Sequence, residues 1–111
     1  MATPTKATVQ VDAGVCGHQA TINAEKTEGY SVRVGIESDC PHVQKIAPEP
    51  LEVDALRQIG LRGGLPPLLE SAYAHSAHAA CPVPSALIKA VEVAAGLALP
   101  SDVSMKVSKE G

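Results

Sequence analysis

Ala7-Thr8-Val9-Gln10-Val11-Asp12 alternates apolar and polar residues, the two-residue period of a strand with one buried face. The alternation returns in Ala20-Thr21-Ile22-Asn23-Ala24-Glu25, and again where Val32, Val34 and Ile36 are set against Ser31, Arg33 and Gly35. Gly14-Val15-Cys16-Gly17 separates the first two segments, and its two glycines permit the backbone angles of a sharp bend. Lys26-Thr27-Glu28-Gly29 reads as the turn between the second and third. The pattern predicts an antiparallel meander.

The period changes after Ser38-Asp39-Cys40-Pro41. Val43, Ile46 and Ala47 are spaced for a short helix that Pro48 and Pro50 end. Leu51 to Ile59 predicts a second helix, with Val53, Leu56 and Ile59 on one side and Gly60 and Gly63-Gly64 stopping it. Pro66-Pro67 opens a third through Leu68, Leu69, Ala72 and Tyr73. Cys81-Pro82-Val83-Pro84 opens a fourth, with Gly96 as its C-cap. Leu87, Ala90, Val91, Ala94 and Leu97 form its core stripe. Ile88 and Val93 widen that stripe to more than half the girth, as expected of a central helix or one covered by a second subunit. Pro100-Ser101-Asp102 reads as a turn, and Val103, Met105 and Val107 predict a last strand returning to the sheet. The expected fold is a single α+β domain over residues 1–111. Its four-stranded sheet is mostly antiparallel, in the order β-β-β-α-α-α-α-β, with helices on one face and loose ends at 1–6 and 109–111.

Composition sharpens this picture. With 45% hydrophobic and 19% charged residues, the 111-residue chain is globular rather than disordered. It has no Phe and no Trp, so its core must be built from Val, Ile, Leu and Ala. A net charge of -3, no basic run and only two Tyr argue against nucleic acid as the main partner. No apolar segment approaches the ~20 residues of a membrane span, and residues 1–19 lack the pattern of a signal peptide. The cytoplasm is the expected compartment.

Candidate chemistry lies with the three cysteines. Each precedes a residue with special backbone behaviour, in Cys16-Gly17, Cys40-Pro41 and Cys81-Pro82, and each falls at a junction between elements. Proline favours the first helical position, which makes Cys40 and Cys81 the expected N-caps. There the unpaired N–H groups and the helix dipole favour a thiolate, the form that binds metal or attacks sulfur. If the meander holds, Cys16 and Cys40 share one end of the sheet, and the start of the last helix could join them. Three thiolates from turns could hold an iron–sulfur cluster, with [4Fe-4S] one form, or zinc as Cys₃His. The fourth ligand could be His78, three residues before Cys81, another histidine, water or a partner group. His18 and His42 follow Cys16 and Cys40 by two residues. The plain alternatives are ordinary. A cysteine at a helix start is usually a small buried residue, and a lone histidine is more often hydrogen-bonded or solvated than a ligand. His75 and His78 share a helix face, a weak signal by itself. Asp39, beside Cys40, is expected to cap a turn, and Gly60 to Gly64 lacks the ending of a phosphate loop.

Cys81-Pro82-Val83-Pro84, opening a helix that carries Lys89, resembles the Cys-Pro-x-Pro motif of SirA/TusA-like sulfur carriers. The resemblance implies a small α+β fold and a persulfide on Cys81. That family places its motif after a first strand; here it opens the last helix. More broadly, Ala13 to Gly17, Ile36 to Pro41 and Ala79 to Pro100 look like a small uncharacterised family of anaerobic bacteria and archaea. That resemblance implies an oxygen-poor setting. The leading expectation is therefore an accessory or electron-transfer protein rather than an enzyme, with Cys16, Cys40 and Cys81 holding an iron–sulfur cluster or another metal. It would work with a larger partner or as a homo-oligomer, away from membranes. The alternatives are a sulfur carrier using Cys81, or a structural subunit docking its apolar last helix on a larger enzyme.

Overall fold

The computed structural model describes Thr5 to Ser76 and His78 to Gly111. Three strands form where alternation predicts them: β1 (Lys6–Asp12), β2 (Gln19–Glu28) and β3 (Ser31–Ser38). They pair antiparallel as a meander, with Val9 opposite Ile22 and Ile22 opposite Ile36. Ala20, Ile22, Ala24, Val32 and Val34 point into the core, while Thr8, Asn23, Arg33 and Glu37 face outward. The helices therefore cover one face, and the other remains polar.

A fourth strand, β4 (Leu51–Asp54), joins the free side of β3 and completes a sheet in the order β1-β2-β3-β4. It replaces the first half of the helix expected over Leu51 to Ile59. Leu51 and Val53 alternate with Glu52 and Asp54 for only four residues, while Val53, Leu56 and Ile59 mimic a helical face. Pairing decides the contest: Val53 sits opposite Val32 and Glu52 opposite Arg33, whose guanidinium lies 3.2 Å from the Glu52 carboxylate. The chain then makes one 3₁₀ turn, Ala55–Arg57, capped by Asp54, which accepts the Leu56 N–H at 3.1 Å.

The three α-helices among the described residues are α1 (Pro41–Gln44), α2 (Pro67–His75) and α3 (Val83–Ala94). Each starts near a proline, as the sequence predicts. A Schellman motif ends α3: Gly96 adopts φ 79°, Gly96 N–H donates to Val93 O at 3.1 Å, and Leu97 N–H donates to Glu92 O at 2.8 Å. α3 lies across β1, β2 and β3 and beside α2. Its Val83, Leu87, Ala90, Val91 and Ala94 seal the core. Among the described residues, Gln58 is the buried polar exception. Its Oε1 accepts the Leu68 N–H at 2.8 Å and its Nε2 donates to Asp54 O at 3.3 Å, so it caps α2 from a distance.

The expected strand over Val103 to Val107 does not form. Residues 98–111 carry no regular structure and pair with no strand of the sheet, in which β4 takes the place beside β3. The expected loose start falls mostly on residues 1–4, which lie outside the described residues, and Lys6 already pairs with Glu25.

Candidate functional site

β1 and β3 run parallel to each other on either side of β2, so both end at the same edge of the body. Cys16 lies in the β1–β2 loop and Cys40 directly after β3, at that common end. The loop is a tight turn: Gly17 N–H donates to Gly14 O at 2.9 Å, and both glycines have positive φ. Cys16 is exposed on this turn. Cys40 is half-buried and packs against the core.

The two thiol-bearing segments are tied together by polar bonds. Asp39 Oδ1 accepts the Gln19 N–H at 3.0 Å and lies 3.4 Å from His18 Nδ1. Ser38 Oγ donates to Gln19 O at 2.7 Å and accepts the Cys40 N–H at 3.1 Å. Gln44 Nε2 donates to Ser38 O at 2.7 Å. The turn-capping role expected of Asp39 is thus a clasp between two segments twenty residues apart. Its carboxyl is held below its ordinary value of 3.8, chiefly by the Gln19 backbone hydrogen bond. Desolvation opposes this, and the His18 ring adds to the lowering.

A carboxylate lowered in the fold contributes stability above its unfolded pKa and loses it as pH falls through the folded value. The clasp should therefore be closed at neutral pH and open only as pH falls through a value below 3.8. The Gln19 amide resonance should shift with a midpoint below 3.8, and Asp39→Ala should abolish the transition. A midpoint at or above 3.8 would contradict this assignment.

Cys40 occupies the N-cap of α1 as expected, with Pro41 after it, but its side chain makes no capping hydrogen bond. α1 has only four residues, so little dipole accumulates behind the thiol. Cys81 departs from expectation. Pro82 takes the cap position of α3 and Cys81 sits one residue outside, half-buried against the core. Pro82 and Pro84 both lack an N–H, which removes two of the four donors a cap would serve. The first helical bond runs from Ala86 N–H to Pro82 O at 3.1 Å, and no thiol is needed to close the turn.

The histidines divide in the same way. His78 is exposed, and its carbonyl accepts the Cys81 N–H at 3.2 Å. His75 Nδ1 lies 3.0 Å from Ser71 O, a bond within α2. His42 is exposed on α1, and only His18 joins the corner. Among the described residues, no group of three or more His, Cys, Asp or Glu side chains stands in an arrangement that could hold a metal ion. Two open grooves lie elsewhere. One, of about 700 Å³, is lined by Leu56, Arg57, Leu61 and Arg62; the other, of about 480 Å³, crosses the polar face of the sheet past Thr8, Asn23 and Arg33.

No described helix is long and apolar enough to cross a membrane. A protein-family profile described as a family of unknown function (DUF6951) matches residues 7–107. No curated protein and no solved structure matches the chain.

Proposed function

The chain belongs to the family of unknown function DUF6951, and from that starting point we propose that it is a cytoplasmic accessory protein that binds a metal or an iron–sulfur cluster through its thiols. The corner of Cys16 and Cys40 is its centre. The observation that carries the reading is the clasp of Asp39 and Ser38, which ties an exposed thiol loop to a half-buried thiol at one end of the sheet.

The ligands are not preassembled, so loading must draw the exposed Cys16 loop and the residues before α3 inward. Cys81 supplies the third thiolate and His78 the fourth ligand in the single-chain form of the site. In the shared form a partner enzyme supplies what is missing. Soft thiolate ligands select iron–sulfur clusters or zinc over hard cations. An oxygen-poor setting preserves exposed thiols of this kind.

The test is iron, sulfide and zinc analysis of protein isolated without oxygen. The expected result is a brown protein with near-stoichiometric iron and sulfide, or a colourless one with zinc. Protein that is metal-free after such isolation would sink the proposal.

A second reading has one observation in its favour: Cys81 stands just ahead of the longest helix, beside Pro82. As a sulfur carrier, Cys81 would accept a sulfur atom from a donor persulfide, whose thiol is released as the new persulfide forms. A mass gain of one sulfur on Cys81, retained in Cys16→Ser and Cys40→Ser variants, would favour this reading over the metal centre.

A further inference from the structure

The tail after α3 carries a strand pattern with no sheet to join. Val103, Met105 and Val107 alternate with Asp102, Ser104, Lys106 and Ser108, yet they are 63%, 77% and 95% exposed. Beyond Leu97, no hydrogen bond ties this segment to the other described residues. The family match nevertheless runs from Ala7 in β1 to Val107, so the tail belongs to the shared unit.

The same chain carries an open edge. Among the described residues, β1 pairs only with β2, leaving its other side free along seven residues. It contains no proline, and its middle, Val9-Gln10-Val11, is uncharged, so it lacks the usual protection against strand addition. β4, the opposite edge, is only four residues long, follows Pro50 and carries two acidic residues. Val9 and Val11 are half-buried on the core face of β1, where an added strand would cover them.

We infer that the tail of one copy adds to β1 of a second copy, and that the second tail returns the exchange. One free strand and one free edge per chain are satisfied together at a ratio of one to one, and the reciprocal contact closes as a two-fold dimer. Apolar positions and charges together favour a parallel register. Parallel addition with Val103 beside Ala7 sets Met105 beside Val9 and Val107 beside Val11, all on the core face. It also places Asp102 beside Lys6, Ser104 beside Thr8, and Lys106 diagonal to Asp12. Antiparallel addition with the same three apolar contacts puts Asp102 against Asp12, and a two-residue shift puts Lys106 against Lys6 in one direction and Lys109 beside the buried Ala7 in the other.

The experiment is light scattering on the full-length chain across a dilution series, with circular dichroism as the folding control. The wild type should run as a dimer. Met105→Asp should leave the fold intact, because Met105 is exposed in the single chain, and should raise the dimer dissociation constant by roughly a hundredfold or more. Asp102→Lys and Lys6→Asp should each weaken the dimer by roughly fivefold, and the double variant should restore it. A wild type that stays monomeric at every soluble concentration overturns the proposal. So does a dimer indifferent to Met105→Asp, and failure of the double variant to rescue overturns the parallel register.

Discussion

Leu87→Ala should destabilise the protein by about 2–5 kcal/mol. Leu87 is fully buried in the middle of α3, where the helix crosses the sheet. The core around it is unusually light. Both tyrosines are on the surface, and Ala7, Ala20, Ala24, Ala55, Ala72, Ala86, Ala90, Ala94 and Ala95 fill much of the interior. Among the largest fully buried side chains, Leu87 and Ile22 stand with valines and a proline. Truncating Leu87 removes its transfer free energy and leaves a cavity that the rigid sheet below cannot close. A domain of this size has about 5–15 kcal/mol in total, so the loss is a large share. Urea unfolding should show a lower midpoint with an unchanged slope. A loss under about 1 kcal/mol would mean that α3 is not the keystone its burial implies.

The Cys16→Ser/Cys40→Ser double variant should lose metal binding while keeping its fold. A serine hydroxyl replaces each thiol at nearly the same size, but it neither forms a thiolate at neutral pH nor binds a soft metal comparably. Cys16 is exposed on its turn, and the turn is held by Gly14 and Gly17 rather than by the thiol. Cys40 contributes its backbone to the clasp, through its N–H to Ser38 and its carbonyl to Gln44, so the corner survives substitution of the side chain. The unfolding free energy should therefore match the wild type within about 1 kcal/mol. Each single variant should bind metal more weakly than the wild type and more tightly than the double. An equal metal content in wild type and double variant would move the centre away from this corner.

The meander was legible because β1, β2 and β3 each repeat the two-residue period over several turns of the pattern, and its topology carried Cys16 and Cys40 to one end. α2 and α3 were legible from their prolines, and the end of α3 from Gly96. β4 was not, because Leu51 and Val53 supply only two apolar positions and a helical spacing through Leu56 and Ile59 overlaps them. What decides that segment is the open side of β3, a tertiary fact. The tail failed for the converse reason: Val103, Met105 and Val107 describe a strand face but say nothing of a partner. At the site, two prolines placed the start of α3 correctly yet removed the donors that would have made Cys81 a cap. Gln58 and Asp39 act on Leu68 and Gln19, ten and twenty residues away, and no local pattern announces such bonds.

The central claim is that the thiols at the Cys16–Cys40 corner bind metal together. Its most direct test is titration of the reduced, full-length protein with cobalt(II) under nitrogen, followed by the thiolate-to-cobalt charge-transfer absorption. A saturating band is expected in the wild type, weakening in each single serine variant and vanishing in the double. A wild type with no such band, or a double variant whose band matches it, would mean that Cys16 and Cys40 do not form a metal site.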